Sequence, residues 1–176
     1  MLRDKMKSTA GRTASAAVLG ILAVVFTVIE FSVPIGFALP GLKLGLANTV
    51  ILFAVRRRKT AEAFFVTLTK VAAASILSGS VSGFLYSLSG SALAILGMAA
   101  INALLKEKAG TAGISVVGAV LHNFGQWAVS LLFFGAAAVY YLPFLLFFGT
   151  VTGIITGICA HFVILAVNKA ENKMKY

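Results

Sequence analysis

The chain alternates between long apolar stretches and short polar or charged segments, almost from end to end. Stretches of this length predict transmembrane α-helices, because crossing about 30 Å of hydrocarbon takes about 20 helical residues. The pattern predicts an all-α, polytopic membrane protein: a six-transmembrane-helix bundle that forms a single integral membrane domain over residues 1–176. The six predicted spans are at about residues 14–31, 35–55, 61–77, 84–105, 114–134 and 144–167.

The second predicted span is unusual because its uninterrupted apolar part, residues 44–55, is short. Two prolines and two glycines lie between residues 34 and 41 and disfavour a continuous helix there. Either the helix starts near Ile35 and is broken, or it is short because it lines a cavity. Non-helical backbone at membrane depth is tolerated only beside protein or a water-filled cavity, so residues 40–48 (PGLKLGLAN) are a candidate site wall.

The positive charges predict how the spans are oriented. Nearly all of the 15 Lys and Arg residues fall in four clusters, which precede the first stretch and follow the second, fourth and sixth. Basic loops stay in the cytoplasm during insertion, so this pattern predicts a multi-pass protein of the cell (cytoplasmic) membrane with both termini cytoplasmic. Because the charges lie at predicted membrane edges, we interpret the net charge of +10 as topology and lipid contact, not nucleic-acid binding.

The residues also limit the chemistry that the chain can perform. Cys159 is the only cysteine, so neither an intrachain disulfide nor a cysteine metal cluster can form. The sequence has no GxxxxGK[ST] phosphate loop, so the chain cannot hydrolyse ATP. We therefore expect no cofactor and no metal, and any ATP-driven transport would need partner ATPases.

Three ionisable residues fall at predicted membrane depth, where a charge costs about 2.5–3.5 kcal/mol on insertion scales. Lys70 lies in the middle of the third span, Glu30 at the outer end of the first and Lys43 at the start of the second. One interpretation is a structural pair of Glu30 with either lysine, which would leave one lysine over. The other is that a lysine beside a cavity binds an anionic ligand group, either carboxylate or phosphate.

A second polar group lies on the fifth span. At 100° per residue, several small and polar residues between Ser115 and Gln126 share about 140° of arc. One Asn would suffice to hold helices together, since interhelical hydrogen bonds contribute only about 0.6–2 kcal/mol each. We therefore predict one outward-opening substrate-binding site that these residues form with those above: Lys43, Asn48, Lys70, His122, Asn123, Gln126 and Glu30.

Small residues recur at helical spacing on the first and last spans. Such stripes let helix backbones approach closely in lipid. Packing within the fold is the simpler interpretation of both, but the stripe on the first span could also dock a partner membrane protein. The residues of that predicted docking face are Ala16, Gly20 and Ala23, and the stripe on the last span is Gly149, Gly153 and Gly157.

Three motifs carry a resemblance to a known family: residues 40–48 (PGLKLGLAN), 87–90 (SLSG) and 118–126 (GAVLHNFGQ). In this order they resemble the bacterial family called Gx transporter, or heptaprenyl diphosphate synthase component I, over roughly residues 14–167. That family is similar to the six-span substrate-binding (S) components of energy-coupling-factor (ECF) vitamin transporters. The first helix of those components carries a small-xxx-small docking face, which residues 16–20 match loosely.

The resemblance implies two functions. The leading hypothesis is a substrate-binding component of an ECF-like transporter, which takes up a small anionic or amphipathic solute with a coupling membrane subunit and ATPases. Such a solute would be a vitamin or an isoprenoid or quinone precursor. The alternative is a non-catalytic membrane accessory subunit of heptaprenyl diphosphate synthase in isoprenoid and menaquinone synthesis. The chain is not expected to be an enzyme, because prenyl diphosphate synthases hold Mg²⁺ with aspartate clusters and Asp4 is its only aspartate.

Overall fold

In a computed structural model, which describes residues 2–32, 45–57 and 60–173, the chain is almost entirely helical. No β-strand occurs in these ranges, and the all-α prediction is confirmed. Two short 3₁₀ helices, Lys106–Lys108 and Gly135–Tyr141, follow the fourth and fifth α-helices. The α-helices are α1 (Leu2–Ser32), α2 (Leu46–Arg56), α3 (Thr60–Ser78), α4 (Val81–Leu105), α5 (Thr111–Phe134) and α6 (Leu142–Lys173).

Four stretches of helix are long and apolar enough to cross a membrane, and the last of them contains both α5 and α6. The 11 residues of α2 extend only about 16 Å at 1.5 Å per residue, well short of the hydrocarbon thickness. The lengths and composition of these helices are those of a membrane protein. The number of spans and the side of the termini stay predictions. The four stretches are Thr13–Ser32, Ala61–Ser78, Val81–Leu105 and Thr111–Lys173.

Several helix boundaries differ from the predicted spans. Helix α1 begins at Leu2, not near residue 14, because hydropathy detects only the apolar part of a helix that continues through polar residues. The predicted spans leave residues 78–83 between the third and fourth helices, but only Gly79 and Ser80 separate α3 from α4. Gly79 has a left-handed φ of 58°, and the Ser80 hydroxyl accepts the Gly83 N–H at 3.1 Å as an N-cap. The predicted start of the second span near residue 35 lies outside the described residues.

The glycine stripe on α6 packs against α5. A Cβ on Gly153 would lie 2.8 Å from the Cα of Val116, and one on Gly157 would lie 2.6 Å from the Cα of Ala112. Contacts this close involve backbone atoms, so only glycine fits at either position. The stripe therefore joins α6 to α5 within the fold, as the simpler interpretation of the sequence had it.

The stripe on α1 also packs inside the bundle. A Cβ on Gly20 would lie 3.0 Å from the Phe65 ring and 3.4 Å from the Thr69 hydroxyl, both on α3. Ala23 is fully buried in the hydrophobic core, whereas Ala16 is half-exposed. Gly20 and Ala23 are thus covered by the fold itself. A docking role for the stripe stays a prediction. Of its three residues, only Ala16 is accessible to a partner unless α1 separates from α3.

The side chains on the outside of the bundle are apolar, and many of those at its centre are small. Ile76, Leu132 and Phe162 are among many large hydrophobic side chains that are more than half exposed. Fully buried alanines, such as Ala63 and Ala94, let the helices approach closely. Because lipid is as apolar as these exposed side chains, this arrangement fits a bilayer better than water.

Candidate ligand-binding site

A small cavity inside the bundle is lined by polar side chains from five helices, and we call this group the Lys70 cluster. The cavity has a volume of about 10 Å³, room for about one water molecule. Five of the residues predicted from the sequence meet here, joined by Gly45, Ala119 and Thr152. The five are Glu30 on α1, Asn48 on α2, Lys70 on α3, and His122 and Asn123 on α5.

Lys70 is the cation at the centre of the cluster, with only 3% of its surface exposed. Its ammonium donates a hydrogen bond of 2.7 Å to Oδ1 of Asn48. A neutral amide oxygen orients the ammonium and replaces part of its lost hydration, but it does not cancel the charge. The arrangement therefore holds a positive charge in a fixed position inside the bundle.

Glu30 is bound to the start of α2. Its Oε1 accepts a hydrogen bond of 2.6 Å from the backbone N–H of Leu46, the first residue of α2. The first N–H groups of a helix have no acceptor within the helix, and the aligned peptide dipoles place about half a positive charge there. Gly45, with a left-handed φ of 78°, turns the chain into α2. The carboxylate thus caps α2, a role that the sequence analysis did not identify.

The two α5 residues of the cluster are fixed by close helix contacts. A Cβ on Gly90 of α4 would lie 2.7 Å from the His122 ring, so this glycine makes room for the imidazole. The Asn123 side chain donates a hydrogen bond of 2.7 Å to the carbonyl oxygen of Leu145 on α6. It also lies directly against Gly149 on the same helix. Asn123 therefore also joins α5 to α6.

Gln126 lines a different cavity from the one that Lys70 lines. This second space, which we call the Gln126 cavity, has a volume of about 260 Å³ between α4, the end of α5, the following 3₁₀ helix and the start of α6. Gln126 lies one helical turn beyond His122, far enough along the axis to face another space. Lys43, predicted near the mouth of the site, lies outside the described residues.

The second and third motifs of the sequence meet where α4 crosses α5. The Ser89 hydroxyl donates 3.0 Å to the carbonyl oxygen of Gly125. A Cβ on Gly125 would lie 2.6 Å from the Ser89 carbonyl oxygen and 2.9 Å from the Cα of Gly90, so the two backbones touch. The sequence analysis singled out both segments as motifs without predicting that they pack together.

Two buried serines on α4 were not predicted as site residues, although Ser87 belongs to the second motif. The hydroxyls of Ser87 and Ser91 are buried, and neither has a hydrogen-bond partner among the described residues. Their i, i+4 spacing places them on one face of α4. Within the described ranges, no group of three or more His, Cys, Asp or Glu residues could hold a metal ion.

The fold and the cluster first define a class: an all-helical membrane protein with a polar cluster around a buried lysine in its core. Within this class the chain belongs to the heptaprenyl diphosphate synthase component I family, whose sequence model matches residues 19–163. Component I is the accessory subunit of the synthase, which confirms the prediction that the chain is not itself an enzyme and implies a partner subunit. Neither the curated proteins nor the solved structures compared with the chain give a significant match.

Proposed function

We propose that this protein is a membrane-embedded, non-catalytic component that binds the anionic group of a small amphipathic solute at the Lys70 cluster. The observation that carries the proposal is the meeting of polar side chains from five helices around one buried lysine. Helix association in lipid needs far fewer polar groups. A buried charge in a membrane is costly, so its presence points to a function. A carboxylate or a phosphate is the kind of ligand group that a buried ammonium binds.

The electrostatics of the cluster support an anion in spite of Glu30. The Glu30 carboxylate already accepts a hydrogen bond from the N-terminus of α2, whose partial positive charge offsets part of its own. The ammonium of Lys70 donates a hydrogen bond to the neutral amide oxygen of Asn48. Because the space is only about 10 Å³, the walls must separate to admit a solute, so the described form corresponds to a closed state.

We further propose six spans with both termini cytoplasmic, as the charge clusters predict. The 63-residue stretch that contains α5 and α6 is long enough for two crossings, with the 3₁₀ helix at the outer face. In a Cys159→Ala background, cysteine at Ser80 should react with an impermeant thiol reagent from outside, and cysteine at Lys106 should not. Both positions are exposed, so the opposite labelling pattern would contradict the topology.

This topology favours solute capture from outside. Asn48 lies near the outer end of α2, and Glu30 lies near the outer end of α1. The finer proposal is therefore an ECF-like uptake component that needs a coupling membrane subunit and ATPases to move its solute. Reconstitution with these partners should give ATP-dependent uptake, whereas the chain alone should bind without accumulating solute.

The second candidate is an accessory subunit of heptaprenyl diphosphate synthase, and family membership is the observation that favours it. In that role the protein would present an isoprenoid diphosphate or a quinone precursor to a soluble prenyltransferase at the inner face. Affinity purification from native membranes separates the two roles. A prenyltransferase subunit that co-purifies and gains activity supports this candidate, whereas co-purified ATPases support uptake.

The site itself is tested by native mass spectrometry of the protein in lipid nanodiscs, with small molecules retained from its native membrane. Wild-type protein should release an anionic compound, and Lys70→Met should retain at least tenfold less of it. Lys70→Arg is the matched control, because it keeps the charge at nearly the same length and should keep the compound. An unchanged set of bound anions in Lys70→Met would overturn the proposal.

A further inference from the structure

The Gln126 cavity contains a buried amide that lacks hydrogen-bond partners. Only 1% of the surface of Gln126 is exposed, and neither Oε1 nor Nε2 has a partner in the part of the chain that the structure describes. A buried amide without partners forfeits the hydrogen bonds that it would make with water. Both polar atoms are themselves buried, so a molecule in this cavity that offered a donor and an acceptor would restore these hydrogen bonds once the amide rotated toward it.

The other walls of the cavity are largely apolar and carry no charge among the described lining residues. Phe134 and Leu145 contribute apolar surface, and Tyr86 and Tyr141 contribute aromatic rings. The hydroxyl of Ser130 already donates 2.7 Å to the Trp127 carbonyl oxygen. An ionised ligand would find no counter-charge on these walls, so they favour a neutral one.

The walls are also held in place. The Trp127 indole N–H donates 3.0 Å to the carbonyl oxygen of Ala138, which ties the 3₁₀ helix to α5. The Tyr86 ring stacks on Phe133 with 6.1 Å between centroids. The cavity therefore exists before a ligand arrives, and binding does not have to order its walls.

We propose that the Gln126 cavity is a second binding site, which takes a small neutral ring compound that bears an amide. Once rotated into the cavity, the Gln126 amide offers a donor and an acceptor side by side, and a carboxamide or lactam edge matches it with two hydrogen bonds. The volume of about 260 Å³ exceeds the ~150 Å³ cavity known to hold benzene and falls below typical drug-sized pockets. This proposal goes beyond the proposed function and does not rest on the Lys70 cluster.

Two other occupants are disfavoured by the same chemistry. A lipid or detergent chain would fill the apolar space but leave both polar atoms of Gln126 unpaired. Water would pair with the amide but would be poorly held by the apolar walls around it. Each alternative gives its own outcome in the experiment.

The test uses the full-length protein in lipid nanodiscs, with benzamide as the probe and toluene and benzoate as comparators. Trp127 is the only tryptophan, and its indole bonds to a residue that lines the cavity, so its fluorescence reports on this site. Benzamide should change the signal saturably and bind at least tenfold more tightly than benzoate or toluene. Gln126→Leu should weaken benzamide at least tenfold and strengthen toluene, because an apolar wall then faces an apolar ring.

Three further variants keep the proposal falsifiable. Methionine has nearly the same length as glutamine, so Gln126→Met can replace Gln126→Leu if that variant folds poorly. It should weaken benzamide binding in the same way. Ala137→Phe should abolish benzamide binding by filling the cavity, whereas Thr150→Ala, whose hydroxyl bonds within α6, should leave it unchanged. Equal benzamide affinity in wild type and both Gln126 variants would overturn the proposal. Toluene that binds wild type as tightly as benzamide does would identify a simple apolar chain site instead and would also overturn it.

Discussion

The two cavities lie one helical turn apart along α5, yet their chemistry is opposite. The Lys70 cluster is about 10 Å³ in volume and holds a lysine and a glutamate, each with a hydrogen bond to a neighbouring group. The Gln126 cavity is about 260 Å³, and its buried amide has no partner among the described residues. The first is occupied by its own side chains, whereas the second is open.

This difference shows how a membrane protein can keep polar groups at depth. A charge must be satisfied inside the fold at all times, so the Lys70 cluster closes around it. A neutral amide is less costly to leave unpaired, so the Gln126 cavity can stay open. A charged solute must therefore displace existing contacts, whereas a neutral one enters a prepared space.

The largest effect is expected where the two regions share their support, at the α4–α5 crossing. Gly125→Leu would drive a side chain into the backbone of Ser89 and Gly90, and it should lower the free energy of unfolding by about 3 kcal/mol or prevent folding. Binding at both regions should be lost together. The measurement is SDS-induced unfolding in mixed micelles.

The matched control for this change is Gly113→Leu, on the same helix. A Cβ at Gly113 meets nothing within 4 Å, so the substitution should leave stability unchanged or slightly higher. Equal stability of the Gly125 and Gly113 variants would show that the crossing is not close-packed. The Lys70 cluster and the Gln126 cavity would then not share their support there.

A smaller effect is expected from the carboxylate that caps α2. Glu30→Ala removes the acceptor of the Leu46 N–H and should lower the unfolding free energy by about 1–2 kcal/mol. Benzamide binding at the Gln126 cavity should stay the same. Ser32→Ala is the control, because among the described residues the exposed Ser32 hydroxyl bonds within its own helix, to the Val28 carbonyl oxygen. Equal losses in the two variants would contradict the cap.

The smallest effect is expected at Asn123, which serves the cluster and the α5–α6 contact at once. Asn123→Ala should cost about 0.6–1.7 kcal/mol, the range measured for interhelical hydrogen bonds in a membrane protein. Thr150→Ala is the control, since its hydroxyl bonds within α6. If Asn123→Ala is no less stable than this control, the hydrogen bond to Leu145 contributes nothing to helix packing.

Hydropathy predicted the helices well where the apolar core and the helix coincide, as in α3, which spans Thr60–Ser78 against a predicted 61–77. It failed at α1, because a helix can continue through polar residues after the apolar stretch ends. Charge at membrane depth identified Lys70 and Glu30, which do line one cavity. The cap of α2 by Glu30 could not be predicted, since it depends on where two helix ends meet in space.

Gln126 shows the limit of helical periodicity. His122 and Gln126 differ by only about 40° around the axis, so the sequence placed them on one face. They also differ by about 6 Å along the axis, and that offset decides which cavity each one lines. Periodicity gives the direction of a side chain but not what the neighbouring helices leave open at its depth.

The depth of Lys70 has an electrical consequence. Lys70 lies near the middle of α3, so under the proposed topology an anion that enters from outside crosses about half of the transmembrane voltage. A full crossing changes the energy of one charge by about 2.3 kcal/mol per 100 mV, so half a crossing changes it by about 1.2 kcal/mol. With the cell interior negative, the voltage opposes entry, and anion affinity at the cluster should fall about sevenfold per 100 mV. A neutral ligand of the Gln126 cavity would be indifferent to the membrane potential.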